Sequence, residues 1–213
     1  MRIALIHALK HSVAPIEASF ARLWPEAQLM NLLDDSLSGD LAREGRLTDA
    51  MSERFLRLGR YAASTRSNAI LFTCSAFGPC IEAVARAQAP MPVLKPNEAM
   101  IEQAAAKGRR IGLLSTFAPT LASMPREFPA SVEIVPKLAD GALVALDRGY
   151  PAEHDALVAE ASKELCDCDV IALAQFSLAR AAPLVAEATG LPVLTTPDSA
   201  VLKLRHLLLP AKA

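Results

Sequence analysis

The chain has 213 residues, of which 52% are hydrophobic and 21% are charged, and its formal net charge is -1. This composition supplies enough apolar side chain for a packed core and excludes that of a disordered chain. A near-neutral chain with 5% aromatic residues offers no basic patch for nucleic acid or an anionic membrane and few rings on which bases could stack, so we expect neither partner.

The first residues predict a strand rather than a leader. We find no basic start with a longer apolar run and cleavage site, and no stretch of about 20 apolar residues, so we expect a cytoplasmic protein. The four cysteines, at 74, 80, 166 and 168, are then expected to be reduced thiols. They lack zinc-site spacing, and the glycines form neither of the common phosphate-binding loops, so we expect no metal and no dinucleotide or nucleoside triphosphate.

Apolar runs of two lengths alternate along the chain. The short ones predict eight strands, at 3–7, 28–32, 69–73, 92–94, 110–115, 131–135, 170–174 and 192–194. The longer patterns predict helices at 12–23, 48–64, 77–89, 98–106, 152–165, 178–189 and 199–209. Strands that alternate with helices predict an α/β fold with mainly parallel sheets.

The order of these elements repeats once along the chain. The run at 68–75 is followed by Pro-Val-Leu at 92–94, and the run at 169–177 by Pro-Val-Leu at 192–194. Cys74 and Gln175 take the same place in the two copies, and residues 2–7 resemble residues 110–115. We therefore predict two similar parallel-sheet α/β lobes related by a pseudo-twofold axis, at 1–95 and 96–197, with a helix at 198–213 that can pack back on the first.

Ligands of open α/β sheets bind beyond the carboxyl ends of the strands. We therefore expect the active site in the cleft between the two lobes, with Cys74 and Gln175 opposite each other. The candidate residues at these strand ends are His7, Thr73, Cys74, Ser75, Ser115, Thr116, Gln175 and Ser177.

Cys74 is the leading catalytic candidate, because it ends an apolar strand and precedes a helix. The amides of Ser75, Ala76 and Phe77 are expected to lower the pKa of its thiol. The same amides can hold a substrate carboxylate. Hydroxyls that could complete that site belong to Thr73, Ser75, Thr116 and Thr120. The alternative is that Cys74 is a small buried apolar residue.

The remaining cysteines and histidines give weaker signals. Cys80 is predicted to be packing, while Cys166 and Cys168 lie in a predicted turn. His7 could donate a proton or bind a carboxylate, or could be structural. Whether His154, at a helix start, is functional stays open.

The combination resembles the aspartate/glutamate/hydantoin racemase superfamily. Residues 2–7, 69–77, 110–120 and 170–177, with the two Pro-Val-Leu strands, carry the resemblance. It implies a two-lobed α/β enzyme, an isomerase that works without a cofactor by cysteine chemistry. Its substrate would be a small carboxylate or amino-acid derivative, and relatives often form homodimers.

In that superfamily two cysteines flank the acidic carbon, one removing a proton and the other delivering one. Cys74 matches the first cysteine, but Gln175 matches the second and cannot exchange protons near neutral pH. The resemblance therefore implies a single-cysteine enzyme and argues against two-base racemisation. Gln175 and Ser177 would donate hydrogen bonds to a carboxylate or enediolate.

Three readings of the resemblance stay open. The first is racemase-like chemistry. The second is a decarboxylase or cis–trans isomerase, since arylmalonate decarboxylase and maleate isomerase are relatives. The third belongs to another class, a non-catalytic protein that binds a small anion.

Overall fold

The computed structural model describes residues 1–209, which contain two four-stranded parallel sheets. The first has the order β2-β1-β3-β4, with β1 at Arg2–His7, β2 at Gln28–Leu33, β3 at Ala69–Phe72 and β4 at Val93–Leu94. The second has the order β6-β5-β7-β8, with β5 at Arg110–Ser115, β6 at Glu133–Leu138, β7 at Val170–Leu173 and β8 at Val193–Thr195. The predicted α/β fold with two similar parallel sheets is confirmed.

Helices follow the strands. They are α1 (Val13–Leu23), α2 (Ser36–Glu44), α3 (Asp49–Ser64), α4 (Gly78–Gln88), α5 (Glu98–Lys107), α6 (Ala118–Ser123), α7 (Ala142–Asp147), α8 (Pro151–Ser162), α9 (Ala182–Thr189) and α10 (Thr196–Leu208). Short 3₁₀ turns follow the third strand of each sheet, at Ser75–Phe77 and Phe176–Ala181. Among the described residues, no helix is both long and apolar enough to cross a membrane.

The chain divides into two compact units. Among the described residues, the first unit consists of residues 1–96 and 200–209, and the second consists of residues 97–199. Within the first unit, Arg205 of α10 donates a hydrogen bond to the carbonyl of Leu23 at the end of α1, at 3.0 Å. The C-terminal helix expected at 198–213 is found at Thr196–Leu208, and the last four residues of that prediction, 210–213, lie outside the described part of the chain.

Most predicted elements are found, and the differences have local causes. The strand expected at 131–135 runs over Glu133–Leu138, and its Pro136 is tolerated because β6 is an edge strand. The helix expected at 178–189 begins as the 3₁₀ turn and becomes α-helical at Ala182, where Pro183 suits a first turn. Two short helices, α2 and α7, were not predicted.

The inner strands β3 and β7 are buried along their whole length, as expected for parallel strands covered on both faces. In the first sheet Ile6 pairs with Phe72, and the amide of Thr73 donates to the carbonyl of Ile6 at 3.0 Å. In the second, the amide of Ala174 donates to the carbonyl of Leu114 at 2.9 Å. The registers therefore bring the polar residues that end neighbouring strands side by side within each sheet.

Candidate active site

Cys74 is separated from β3 only by Thr73, and it directly precedes the 3₁₀ turn that leads into α4. Its backbone is extended. The aromatic rings on either side of it anchor the segment, because Phe72 and Phe77 both pack on Phe55 of α3, with ring centroids 5.3 Å and 4.9 Å apart. Both of these anchoring rings are buried. The packed core thus fixes the place of the Cys74 backbone.

The Cys74 sulfur lies near two hydrogen-bond donors, the amide of Ala76 and the hydroxyl of Ser38, and both lower the pKa of the thiol. Burial has the larger, opposite effect, so the pKa of Cys74 is raised above its ordinary value. The expectation of a lowered pKa was therefore wrong, because the desolvation of the thiolate outweighs the two donors.

His7 is fully buried at the end of β1, and both of its ring nitrogens have protein partners. Nε2 lies 3.0 Å from Oδ1 of Asn31, whose amide nitrogen donates to Glu17 at 2.7 Å. Because Asn31 presents its oxygen to the ring, Nε2 carries the proton and donates it. Burial lowers the pKa of His7, and Asn31 and Glu17 only partly oppose that effect. His7 is therefore a neutral group inside the unit.

The other ring nitrogen of His7 meets two hydroxyls. Nδ1 lies 2.8 Å from Oγ of Ser12 and 2.9 Å from Oγ1 of Thr73, and these two oxygens are 2.8 Å apart. Ser12 also donates to the carbonyl of Leu9 at 2.8 Å. The Thr73 hydroxyl is thus part of a buried hydrogen-bond network with His7 and Ser12, next to Cys74 in the chain. Ser75 is half-buried in the 3₁₀ turn, and Ala76 is exposed.

Gln175 occupies the corresponding position of the second unit, directly after β7 and Ala174. Its Oε1 accepts three hydrogen bonds, from the hydroxyl of Ser115 at 2.9 Å and from the amide and hydroxyl of Thr116 at 2.7 Å and 2.9 Å. A backbone amide can only donate, so the accepting atom must be the oxygen of the side-chain amide. These three donors form a cradle around Oε1 and fix the orientation of the Gln175 side-chain amide. Its NH₂ therefore points away from Ser115 and Thr116.

Two further candidates lie in segments that follow central strands of the second sheet. Thr120 is buried in α6, after β5, and its amide donates to the carbonyl of Phe117 at 3.1 Å. Ser177 is half-buried in the 3₁₀ turn after β7. Of the candidate hydroxyls in this unit, the structure brings those of Ser115 and Thr116 into contact with Gln175.

Three residues of the first-unit site were not predicted: Ser12, Asn31 and Ser38. Ser38 lies on α2, which has little apolar character. The only available signal for Asn31 is that it is a polar residue in the middle of the apolar β2 run. Ser12 precedes α1 and offered no signal beyond that of an ordinary turn residue.

The remaining cysteines and His154 lie apart from these networks. Cys80 is buried in the first core, 3.4 Å from Oγ of Ser52, as the packing prediction requires. Cys166 is exposed, while Cys168 is buried. His154 is buried with Nδ1 on Asp155 at 2.8 Å. Over residues 1–209, no three potential metal-ligating side chains of the His, Cys, Asp and Glu types are grouped closely enough to hold a metal ion.

The sequence matches the model of one protein family. That family is described as Asp/Glu/Hydantoin racemase, and the match extends over residues 16–204. The chain therefore belongs to this family, as the resemblance predicted, and to its class of enzymes, the isomerases. None of the curated proteins matches the sequence significantly.

Solved structures share the fold at low sequence identity. A glutamate racemase from Bacillus anthracis has a TM-score of 0.71 and is 13% identical, with 97% of this chain and 80% of that chain covered. Allantoin racemase from Klebsiella pneumoniae has a TM-score of 0.71 at 17% identity, with coverages of 98% and 87%. An arylmalonate decarboxylase has a TM-score of 0.70 at 18% identity, with coverages of 100% and 94%.

Proposed function

We propose that this chain is a cofactor-independent enzyme that uses Cys74 as its single catalytic thiol, at the acidic carbon of a small carboxylate or amino-acid derivative. The observation that carries the proposal is the position of Cys74 at the carboxyl end of a buried strand, with two donors near its sulfur, from Ala76 and Ser38. Such donors stabilise the thiolate that forms when the sulfur gives up its proton.

The raised pKa of Cys74 makes the neutral thiol its resting form, which suits a proton donor. In a decarboxylation, the carbon–carbon bond to one carboxylate breaks, carbon dioxide leaves, and the bonding electrons form an enediolate. The S–H proton then moves to the carbon of the enediolate. The thiolate that remains takes a proton from water, which restores the enzyme.

Gln175 is the proposed contribution of the second unit. Its oxygen is held by Ser115 and Thr116, so its NH₂ can donate to a carboxylate or enediolate. Ser177 and Thr120 are proposed to add hydroxyl donors there. In the first unit, Ser75 and the amide of Ala76 are proposed to bind the substrate carboxylate.

We assign His7 and Thr73 to the support of this site. Both ring nitrogens of His7 and the Thr73 hydroxyl already have partners in the buried network behind Cys74. A direct contact of either residue with substrate, which the sequence suggested, would require that network to open.

Gln175 favours reactions that need a single thiol over amino-acid racemisation, which needs a proton group on each face of the carbon. One alternative is cis–trans isomerisation, in which the thiolate adds to a double bond, the new single bond rotates and the thiolate leaves. A second class is a protein that binds a small anion without turning it over. The absence of a second cysteine at Gln175 is what favours it.

The proposal is tested by proton NMR in deuterium oxide. The purified protein is incubated with aspartate, glutamate, hydantoins, arylmalonates and maleate, beside the Cys74→Ala variant. Cys166→Ala is the matched control, because Cys166 is an exposed thiol away from both networks. We expect turnover by the wild type and by Cys166→Ala, and none by Cys74→Ala.

The product identifies the reaction. Deuterium at the α-carbon with loss of a carboxylate selects decarboxylation, and a changed double-bond geometry selects isomerisation. Deuterium at the α-carbon with inversion of its configuration identifies racemisation, which requires a second group that transfers a proton on the opposite face. Turnover that survives in Cys74→Ala would refute the role of this thiol. Binding of a substrate-like anion without turnover of any compound would support the anion-binding protein instead.

A further inference from the structure

The unpredicted helix α2 is fastened to α3 by one arginine. The guanidinium of Arg54 bonds Asp40 at 2.7 Å and also bonds Asp34 and Ser36, all of them in or just before α2. Asp40 is bonded in addition by Arg43. These contacts hold the helix on both sides of Ser38.

Arg54 and its partners lie at the surface, and the arginine side chain is 34% exposed. Ion pairs in such places contribute little to stability, since water screens the charges. Three acceptors around a planar guanidinium nevertheless fix an orientation well. The cluster is therefore better suited to placing α2 than to stabilising the fold.

Ser38 is the residue whose position the cluster fixes. Its hydroxyl donates to the carbonyl of Ala8 at 3.2 Å, just beyond β1. Because β1 pairs with β3 in parallel, with Ile6 beside Phe72, this hydroxyl lies at the same sheet edge as Cys74, near enough to lower the pKa of its thiol. A hydroxyl has one proton, so it can serve only one acceptor at a time. With a thiol at Cys74, the proton goes to Ala8. With a thiolate it turns to the sulfur, because bonds to a charged acceptor are the stronger ones.

We propose that Ser38 is a catalytic hydrogen-bond donor to the Cys74 sulfur, and that Arg54 is the positioning residue that holds α2 so that this donor is in place. The catalytic part rests on the proposed function, because Cys74 must be the reacting thiol. The hydrogen bond and its dependence on Arg54 do not require any substrate. Ser38 thus supplies a thiolate donor from a different helix than the one that follows Cys74.

The test measures the rate of iodoacetamide alkylation of Cys74 against pH. The Cys166→Ala protein is the background, because the exposed thiol would otherwise react first. We expect Ser38→Ala to raise the apparent pKa of Cys74 by about one unit, since it removes a bond to the charged form. Ser38→Thr keeps a hydroxyl and is expected to restore the wild-type value. Ser64→Ala is the matched control, because Ser64 is an exposed serine of α3 bonded to Tyr61.

Arg54→Ala tests the positioning step in the same assay. We expect it to raise the pKa of Cys74 in the same direction as Ser38→Ala, and we expect no further rise when the two changes are combined. Thermal unfolding of each variant, compared with Ser64→Ala, checks that the fold is kept. Additive shifts, or no shift in Arg54→Ala, would overturn its positioning role.

An unchanged pKa in Ser38→Ala would overturn the hydrogen bond itself. Turnover separates the two proposals. If the wild-type chain turns over a substrate but Ser38→Ala does not change the pKa of Cys74, the proposed function is supported and the role of Ser38 is refuted. If the wild-type chain turns over no substrate but Ser38→Ala still raises the pKa of Cys74, the hydrogen bond is supported. The proposed function and the catalytic role of Ser38 are then both refuted.

Discussion

The side-chain oxygen of Gln175 lies 2.7 Å from the backbone nitrogen of Thr116, which joins the segments after β5 and β7 through one side chain. Ser115 and the Thr116 hydroxyl bond the same oxygen at 2.9 Å each. A single acceptor therefore serves three donors at the strand ends of the second unit. Gln175 has a structural function here beyond any part it takes in chemistry.

Loss of this acceptor is expected to destabilise the second unit. Gln175→Leu leaves the amide and the hydroxyl of Thr116 without their acceptor, while Ser115 can still donate to the carbonyl of Phe117 at 3.1 Å. Each unsatisfied group costs about 1–3 kcal/mol. We expect a lower urea midpoint with an unchanged slope. Gln175→Glu is the matched control, because a carboxylate accepts from the same donors. Equal midpoints for Gln175→Leu and the wild type would contradict the importance of the cradle.

Replacement of Gln175 by cysteine is expected to add the second thiol that two-base racemisation requires. Gln175→Cys places a sulfur near the amide of Thr116 and the hydroxyl of Ser115, donors that stabilise a thiolate. We expect it to gain deuterium exchange with inversion on an amino-acid or hydantoin substrate, measured by NMR and chiral chromatography. Gln175→Ser, which has no thiol, should gain nothing. Equal inversion by both variants would count against a thiol at this position.

The burial of His7 predicts a pH dependence of stability. Its pKa is lowered in the folded protein from an ordinary value of 6.5. Below that pH the unfolded chain binds a proton that folded His7 does not, so this stabilisation is present above about pH 6.5 and is lost as the pH falls toward the folded pKa. Urea unfolding against pH should show the loss. His7→Gln should flatten it, and His206→Gln, at an exposed histidine, should leave it unchanged.

Close packing of α3 on α4 predicts a steric cost at Gly59. A Cβ there would lie 2.5 Å from Cγ1 of Val84, a buried side chain of the first core. We expect Gly59→Ala to lower the free energy of unfolding by about 1–3 kcal/mol, as overpacking does. The cost should largely disappear in a Val84→Ala background. Gly39→Ala is the control, because nothing lies within 4 Å of its added Cβ. Equal unfolding free energies for Gly59→Ala and the wild type would refute the close contact.

The strand ends could be located from the sequence because parallel strands that are covered on both faces appear as short apolar runs. The runs at 69–73 and 170–174 are apolar except for Thr73, which fits strands covered on both faces, and whatever follows them must emerge at one edge of the sheet. This rule identified Cys74 and Gln175 as candidate site residues. Helix α2 was missed because it is nine residues long and its serines and Gly39 are typical of a turn, while Arg54, which bonds it, is distant along the chain.

By itself, the sequence determined the α/β class, the doubled order of strands and helices, the family, and the residues that end the strands, because apolar periodicity and motif spacing are local properties. Only the tertiary structure decided what those residues can do. Burial in the folded chain raises the pKa of Cys74. His7 hydrogen-bonds Thr73 and Asn31, and the side-chain oxygen of Gln175 accepts a hydrogen bond from the amide of Thr116. Desolvation and side-chain hydrogen bonds depend on groups that are distant along the chain, and folding alone brings those groups together.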